Sequence, residues 1–269
     1  MSGGQLAVSD PAALGSHLID QGIMLRRTWK NVGRELPPVN RIVHDIESDP
    51  EKMRKLSEGT MDLADIILQS GDRKQIFTAS GQLDTKLRHA TGVAKAVYVA
   101  EFTKLLEEGH EKVLLFVWHR DVYDIWEEKL RSYSPVRYTG QENPRVKNLA
   151  RESFLTGNSR VMMMSLRAGA GLDGLQEVCN TAVFGELDWP PGIHDQCVGR
   201  LHRGDIEMPV VSYFLLSDAG TDPVMLDVLS LKKMQADGIH DPGAAVLSPN
   251  VDLSSRVKDL ARAVKSSSG

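Results

Sequence analysis

Cysteine is nearly absent from this chain. Cys179 and Cys197 are the two it contains, without metal-ligand spacing and without a framework of pairs. That excludes a disulfide-stapled scaffold and a cysteine-built zinc module, and it suits a reducing compartment. Both read as small buried apolar residues. Long apolar runs are missing as well: none approaches the roughly 20 residues of a membrane span, and Met1–Gly15 lacks the charged-then-apolar order of a signal sequence. The expectation is a cytoplasmic or nucleoid-associated protein, not secreted, with no membrane partner. Positive charge is not in excess either. Lys and Arg number 32 against 36 Asp and Glu, a net charge of −4, so any contact with nucleic acid must come from a local patch. Two dipeptides are absent altogether, Gly-Lys and Asp-Glu. Without them there is neither a phosphate-binding loop of the Walker type nor its companion metal-binding box.

What is present is an ordinary globular composition, 41% hydrophobic and 25% charged over 269 residues, enough for one large domain or two small ones. Residues 1–39 read as a helix from Pro11 to Gly22 followed by a basic lead-in, Ile23 to Thr28, that ends at Pro37-Pro38. Asn40–Asp45 suits a short strand. Asp49-Pro50-Glu51 opens a helical pattern to Ser70, and Leu83 to Gly109 is helical again, so residues 45–109 form a helical subregion. From Lys112 short apolar runs alternate with helices. Strands are expected at Val113–Trp118, Val136–Thr139, Val161–Ser165, Thr181–Gly185 and Pro209–Leu216, with helices at His119–Tyr133 and Asn143–Leu155. Such alternation argues an α/β fold, a parallel sheet with helices on both faces and a helical insertion before it. Ligands of such sheets sit beyond the carboxyl ends of the strands. A helix from Val224 to Ala236 closes the lobe, 40–238. Residues 239–269 read as a loop and a last amphipathic helix, Leu253–Val264.

Two stretches carry chemistry. The first, Trp189 to Arg203, reads as one short helix entered through Pro190 and Pro191, since proline is tolerated where a helix's first N–H has no partner. On a 3.6-residue period Gln196, Arg200 and Arg203 share one face, and Ile193, Cys197 and Leu201 another. The two arginines are either a solvated basic face or a phosphate clamp. The second stretch, Ser165 to Gln176, contains a literal Gly-x-Gly-x-x-Gly at Gly169, Gly171 and Gly174. A dinucleotide fingerprint would require a full crossover helix after the glycines and an acid about 20 residues on. Only Leu175–Asn180 separates them from the next strand, which argues against it.

Taken in order, these segments resemble the second lobe of superfamily-two helicases, specifically the SWI/SNF-type DNA translocases. Trp189, Pro191, Gln196, Arg200, His202 and Arg203 match that family's last motif. Asn is replaced by Pro190 and Ala by Cys197, and Gly204-Asp205-Ile206 stands where members have Ile-Gly-Gln. Ser165, Ala168, Gly169 and Gly171 match the preceding motif, in which Gly174 replaces an Asn. Arg26, Arg27, Leu36, Pro37 and Pro38 resemble the family's passage into its second lobe. The resemblance spans roughly Gly22 to Gly238 and implies a RecA-like lobe.

It also implies roles. Arg200 and Arg203 would be catalytic, meeting the γ-phosphate of ATP, with Gly171, Asp173 and Gln196 at the nucleotide. Trp118, His119, Thr139, Ser165, Leu166, Arg167, Ala168, Gly169 and Trp189 would face double-stranded DNA, the Ser165–Gly169 contact being through backbone. Asp173 is otherwise a turn or cap residue, and Trp189 otherwise a core ring. ATP with Mg2+ would be bound mainly by a first lobe, expected as a separate Walker-motif chain, and no metal site is expected here. The alternative function is a catalytically silent DNA- or protein-binding module derived from that lobe, and a piece of a longer protein would show the same pattern.

Overall fold

The computed structural model describes residues 10–24, 37–109, 112–168, 172–204, 206–227, 229 and 253–266. Helix α1 (Pro11–Asp20) precedes strand β1 (Val39–Asp45), and helices α2 (Pro50–Leu56), α3 (Thr60–Gln69) and α4 (Arg73–Glu108) follow it. Then come β2 (Val113–Val117), α5 (Arg120–Lys129), β3 (Val136–Tyr138), α6 (Pro144–Leu155), β4 (Val161–Ser165), β5 (Thr181–Phe184), α7 (Pro191–Val198) and β6 (Val210–Leu216). A short helix α8 opens at 222, and α9 (Leu253–Ser266) is the last element. The six strands form one sheet in the order β1-β6-β5-β2-β4-β3, every pair parallel.

The pleat of β2 shows how the sequence builds the layers. Side chains alternate faces along a strand. Val113, Leu115 and Val117 join α4 and α5 through Ala96, Val99 and Trp126, while Leu114 and Phe116 join α6 and α7 through Phe154 and Cys197. Both faces are dry, which is why the run is continuously apolar rather than alternating.

The helical region departs from expectation in two ways. The pattern from Asp49 to Ser70 is two helices, because Gly59 between them adopts a left-handed φ of 79°, which an L side chain disfavours. The helix expected from Leu83 begins ten residues earlier, capped by the Asp72 carboxylate on the Lys74 N–H, and runs 36 residues to Glu108. Its first half packs with α3 and α9 through Leu83, Leu87, Ile67 and Leu260, and its second half lies on the sheet. One helix therefore belongs to both the insertion and the lobe. The loop expected over Asp237–Asn250 and the lead-in residues Arg26, Arg27 and Leu36 lie outside the described residues.

A buried ion pair ties α4 to the end of β6. Lys95 is wholly buried and its Nζ donates to Asp222 Oδ2 at 2.7 Å and to the Leu215 carbonyl at 2.8 Å. Asp222 also accepts the Ser217 N–H at 2.9 Å. Beside it, Thr91 Oγ1 accepts the Thr221 N–H at 3.0 Å. Gly185, just past β5, is equally constrained: an added Cβ would stand 2.4 Å from Trp126 and 2.9 Å from Val99, both fully buried. Gly185→Ala is therefore expected to cost about 1–3 kcal/mol by overpacking, read as a lower urea midpoint at unchanged slope.

Candidate nucleotide and DNA edge

Because all six strands run in parallel, the loops after β2, β4 and β5 open on the same edge, and β2 lies between β4 and β5. The candidate residues Trp118, His119, Ser165 to Ala168 and Trp189 stand in or beside these loops. Thr139 follows the edge strand β3.

The arginine stretch is not one continuous helix. α7 ends at Val198 with Gly199 as its cap, and the chain tightens into short turns, Arg200 N–H to Cys197 O and Leu201 N–H to Val198 O. The shared face predicted for Gln196, Arg200 and Arg203 is thereby lost, since Arg200 and Arg203 lie beyond the helix; Gln196 is exposed on α7. The apolar stripe survives, with Cys197 and Leu201 fully buried and Ile193 packed against the same core. Tertiary packing nevertheless brings both arginines to the loop after β4. Arg200 donates to the Ala168 carbonyl. Arg203 donates to the Leu172 carbonyl and pairs with Asp173 Oδ1 at 2.8 Å. Arg151 of α6 clamps the same loop, its Nε and Nη2 on the Asp173 carbonyl at 3.1 and 3.0 Å. Asp173, predicted at the nucleotide, is the counter-ion of Arg203 in this structure. Two guanidiniums converging on one loop suit a phosphate, whose oxygens accept their forked donors. Gly169 and Gly171 lie outside the described residues. Among the described residues no group of three or more His, Cys, Asp or Glu is gathered for a metal ion.

Several DNA-facing expectations need correction. Trp189 is a core ring, 5% exposed, with its indole N–H on Asp84 Oδ1 at 2.7 Å, so it has no free face for stacking. Leu166 is 2% exposed and its N–H is bonded to the Val117 carbonyl; the Ala168 N–H is bonded to the Ser165 carbonyl. The first of these amides is engaged across the sheet by β2 and the second within the turn. The Thr139 hydroxyl and N–H both serve the Glu142 carboxylate, each at 2.7 Å, which would repel a phosphate. Burial alone would raise the Glu142 carboxyl, but the bonds from Thr139 hold it below its usual range. Trp118, His119 and Ser165 are half-buried at the edge and Arg167 is exposed there.

Sequence reasoning missed the carboxylates that organise this edge. Glu186, buried, accepts the N–H of Trp118 at 2.7 Å and of His119 at 2.9 Å, and meets His119 Nδ1 at 2.6 Å. Burial opposes its charge, yet the bonds from His119 and Trp118 win and lower its pKa. Gly92 of α4 makes room for it, since a Cβ there would fall 2.3 Å from Glu186 Oε1. Asp188, 1% exposed, accepts Arg167 Nε at 2.9 Å and the Trp189 N–H at 2.8 Å, with Arg88 Nη1 at 3.6 Å. The only sequence signal for them was two acids between the β5 run and Trp189.

His194 of α7 is 4% exposed and its Nε2 accepts the Asp188 N–H at 3.3 Å, which requires the neutral ring. Burial pushes its pKa down to about 4 from 6.5. Between those values the unfolded chain takes up a proton that the folded chain refuses, so stability falls as pH falls. A loss of about 2 kcal/mol is expected between pH 7 and pH 5. Urea unfolding at both pH values checks it, and His194→Gln should flatten the difference.

No known family model matches the chain. It is 26% identical over 219 residues to the SWI/SNF-related matrix-associated actin-dependent regulator of chromatin subfamily A-like protein 1 of Xenopus tropicalis, covering 80% of this chain and 23% of that protein. The chain thus spans about a quarter of the length of this curated relative. Among solved structures, the Sulfolobus solfataricus SWI2/SNF2 ATPase core in complex with dsDNA matches with a TM-score of 0.59 at 17% identity, over 84% of this chain and 51% of that one. The C-terminal part of the Fun30 ATPase domain matches with a TM-score of 0.58 at 15% identity, over 77% of this chain and 98% of that one. The match takes half of a whole core and nearly all of an isolated C-terminal part, which is the size relation of a single lobe. The chain is a homologue of SWI/SNF-family ATPases, and it folds as their second, C-terminal RecA-like lobe.

Proposed function

We propose that the chain is the second lobe of an ATP-dependent double-stranded-DNA translocase, working with a first lobe that carries the Walker motifs. The observation that carries this reading is the convergence of Arg200 and Arg203 on the loop after β4, beside the edge that bears Trp118, His119 and Arg167. ATP would lie between the lobes. Mg2+, held by the first lobe, would neutralise charge on the β- and γ-oxygens. This chain's part is to bring in guanidiniums: on closure Arg203 exchanges Asp173 for a phosphate oxygen and Arg200 leaves the Ala168 carbonyl. Because these arginines and the loop after β4 are in contact, a change at the nucleotide is felt at a DNA-facing loop, and repeated closure would step the lobe along the duplex.

The test is DNA-stimulated ATP hydrolysis by this chain alone, by a Walker-motif first lobe alone, and by the mixture. Activity on mixing only is expected. A silent mixture that still binds duplex DNA would favour the second reading, a catalytically silent binding module. That reading draws on the engagement of both arginines and Thr139 by the chain's own acceptors.

A further inference from the structure

We propose that Asp188 is a positioning residue that, with Trp118 and Arg88, holds Arg167 ready for a DNA phosphate; the inference rests on the DNA-binding part of the reading above. The Arg167 guanidinium lies 4.8 Å from the centre of the Trp118 ring, and that of Arg88 lies 5.3 Å from the same ring. Both cations also address Asp188, which is buried: Arg167 through Nε at 2.9 Å and Arg88 through Nη1 at 3.6 Å. Arg88 is further fixed by donating to the Leu187 carbonyl at 2.9 Å. It is nearly buried, with 11% of its side chain exposed, whereas Arg167 is 54% exposed.

The asymmetry assigns the roles. Arg88 comes from α4 and compensates the Asp188 charge inside the protein. Arg167 spends only its Nε on the carboxylate, and among the described residues no protein acceptor meets its two Nη groups. An arginine on an open loop would lose its rotamer freedom on meeting a phosphate. Here the ring contact and the ion pair have already removed that freedom, and one anion between two cations leaves the cluster with a net positive charge. The outer fork of Arg167 is therefore a preformed phosphate contact at the loop after β4, and Asp188 favours DNA binding although it is an anion.

The experiment measures binding of a labelled duplex DNA to the full chain over a salt series, for the wild type, Arg167→Ala, Asp188→Asn and the double variant. Arg167→Ala should weaken binding and reduce the log–log salt slope by about 1. Asp188→Asn should weaken binding about threefold to tenfold in the wild type and have no further effect in the Arg167→Ala background. Arg167→Lys, which keeps the charge but loses the Nε bond to Asp188, should weaken binding while leaving the salt slope unchanged, and serves if Asp188→Asn does not fold. Tighter binding by Asp188→Asn, or equal losses with and without Arg167, would overturn the positioning role while leaving DNA binding in place. No duplex binding by the wild type at low salt would overturn the DNA reading itself and this inference with it.

Discussion

Arg203→Ala, mixed with a Walker-motif first lobe and duplex DNA, is expected to lower ATP hydrolysis by roughly 10³–10⁵, and Arg200→Ala by a similar order. The physical reason is charge. Phosphoryl transfer spreads negative charge over the equatorial oxygens, and a guanidinium placed there in a water-poor interface stabilises it far more than it would in water. Arg203→Lys is expected to recover little, because a point charge does not reproduce the planar fork. Association of the lobes, followed separately by sedimentation, should survive each substitution, since the resting partners of these arginines lie within this chain. Hydrolysis within tenfold of wild type for both variants would remove the arginines from the chemistry.

Lys95→Met is expected to destabilise the chain by about 3–5 kcal/mol, a large part of a domain's whole stability. The substitution leaves Asp222 charged in a site where its side chain is 2% exposed, with the Ser217 amide and hydroxyl at 2.9 and 3.1 Å as its other partners. Lys95→Met with Asp222→Asn should recover most of that loss. The amide is neutral, and its oxygen still accepts the Ser217 N–H. Chemical unfolding of the two single variants and the double variant forms a cycle. Losses that simply add would mean that the pair is not coupled and that the lysine acts through packing alone.

The centre of the sheet was legible because β2, β4 and β5 are short, mostly apolar runs between helices, and a run buried on both faces has few other uses. Val161–Ser165 was read with its observed bounds. The start of α4 was harder: from Arg73 to Gln82 Ala79 is its one buried apolar residue, and Phe77 is 82% exposed. Its helicity comes from the Asp72 cap and from continuity with the packed half that follows. Gly59 broke the helix before it without any loss of hydrophobic periodicity.

The candidate site divides along the same line. The residue types, Arg200, Arg203, Arg167, Trp118 and His119, stood in the sequence in an order that pointed to a lobe of a DNA motor. Their geometry did not follow from spacing. A helical wheel grouped the two arginines with Gln196, yet the helix stops at Val198 and the arginines reach the loop after β4 through the packing of Leu201 and Cys197. Trp189 could be read as a stacking ring or a core ring and is core, where Asp84, 105 residues earlier, supplies its N–H acceptor. The burial and pairing of Glu186, Asp188, Lys95 and Asp222 could not be read from the sequence, since a charged residue in a sequence is solvated by default. By itself the sequence determined the layers, the parallel order of the fold and the chemical inventory of its loops, because hydrophobic period and strand length are local properties. Only the tertiary structure decided which charges are buried in pairs, which amides are already bonded and which guanidinium is left facing outward, because each depends on partners far away along the chain.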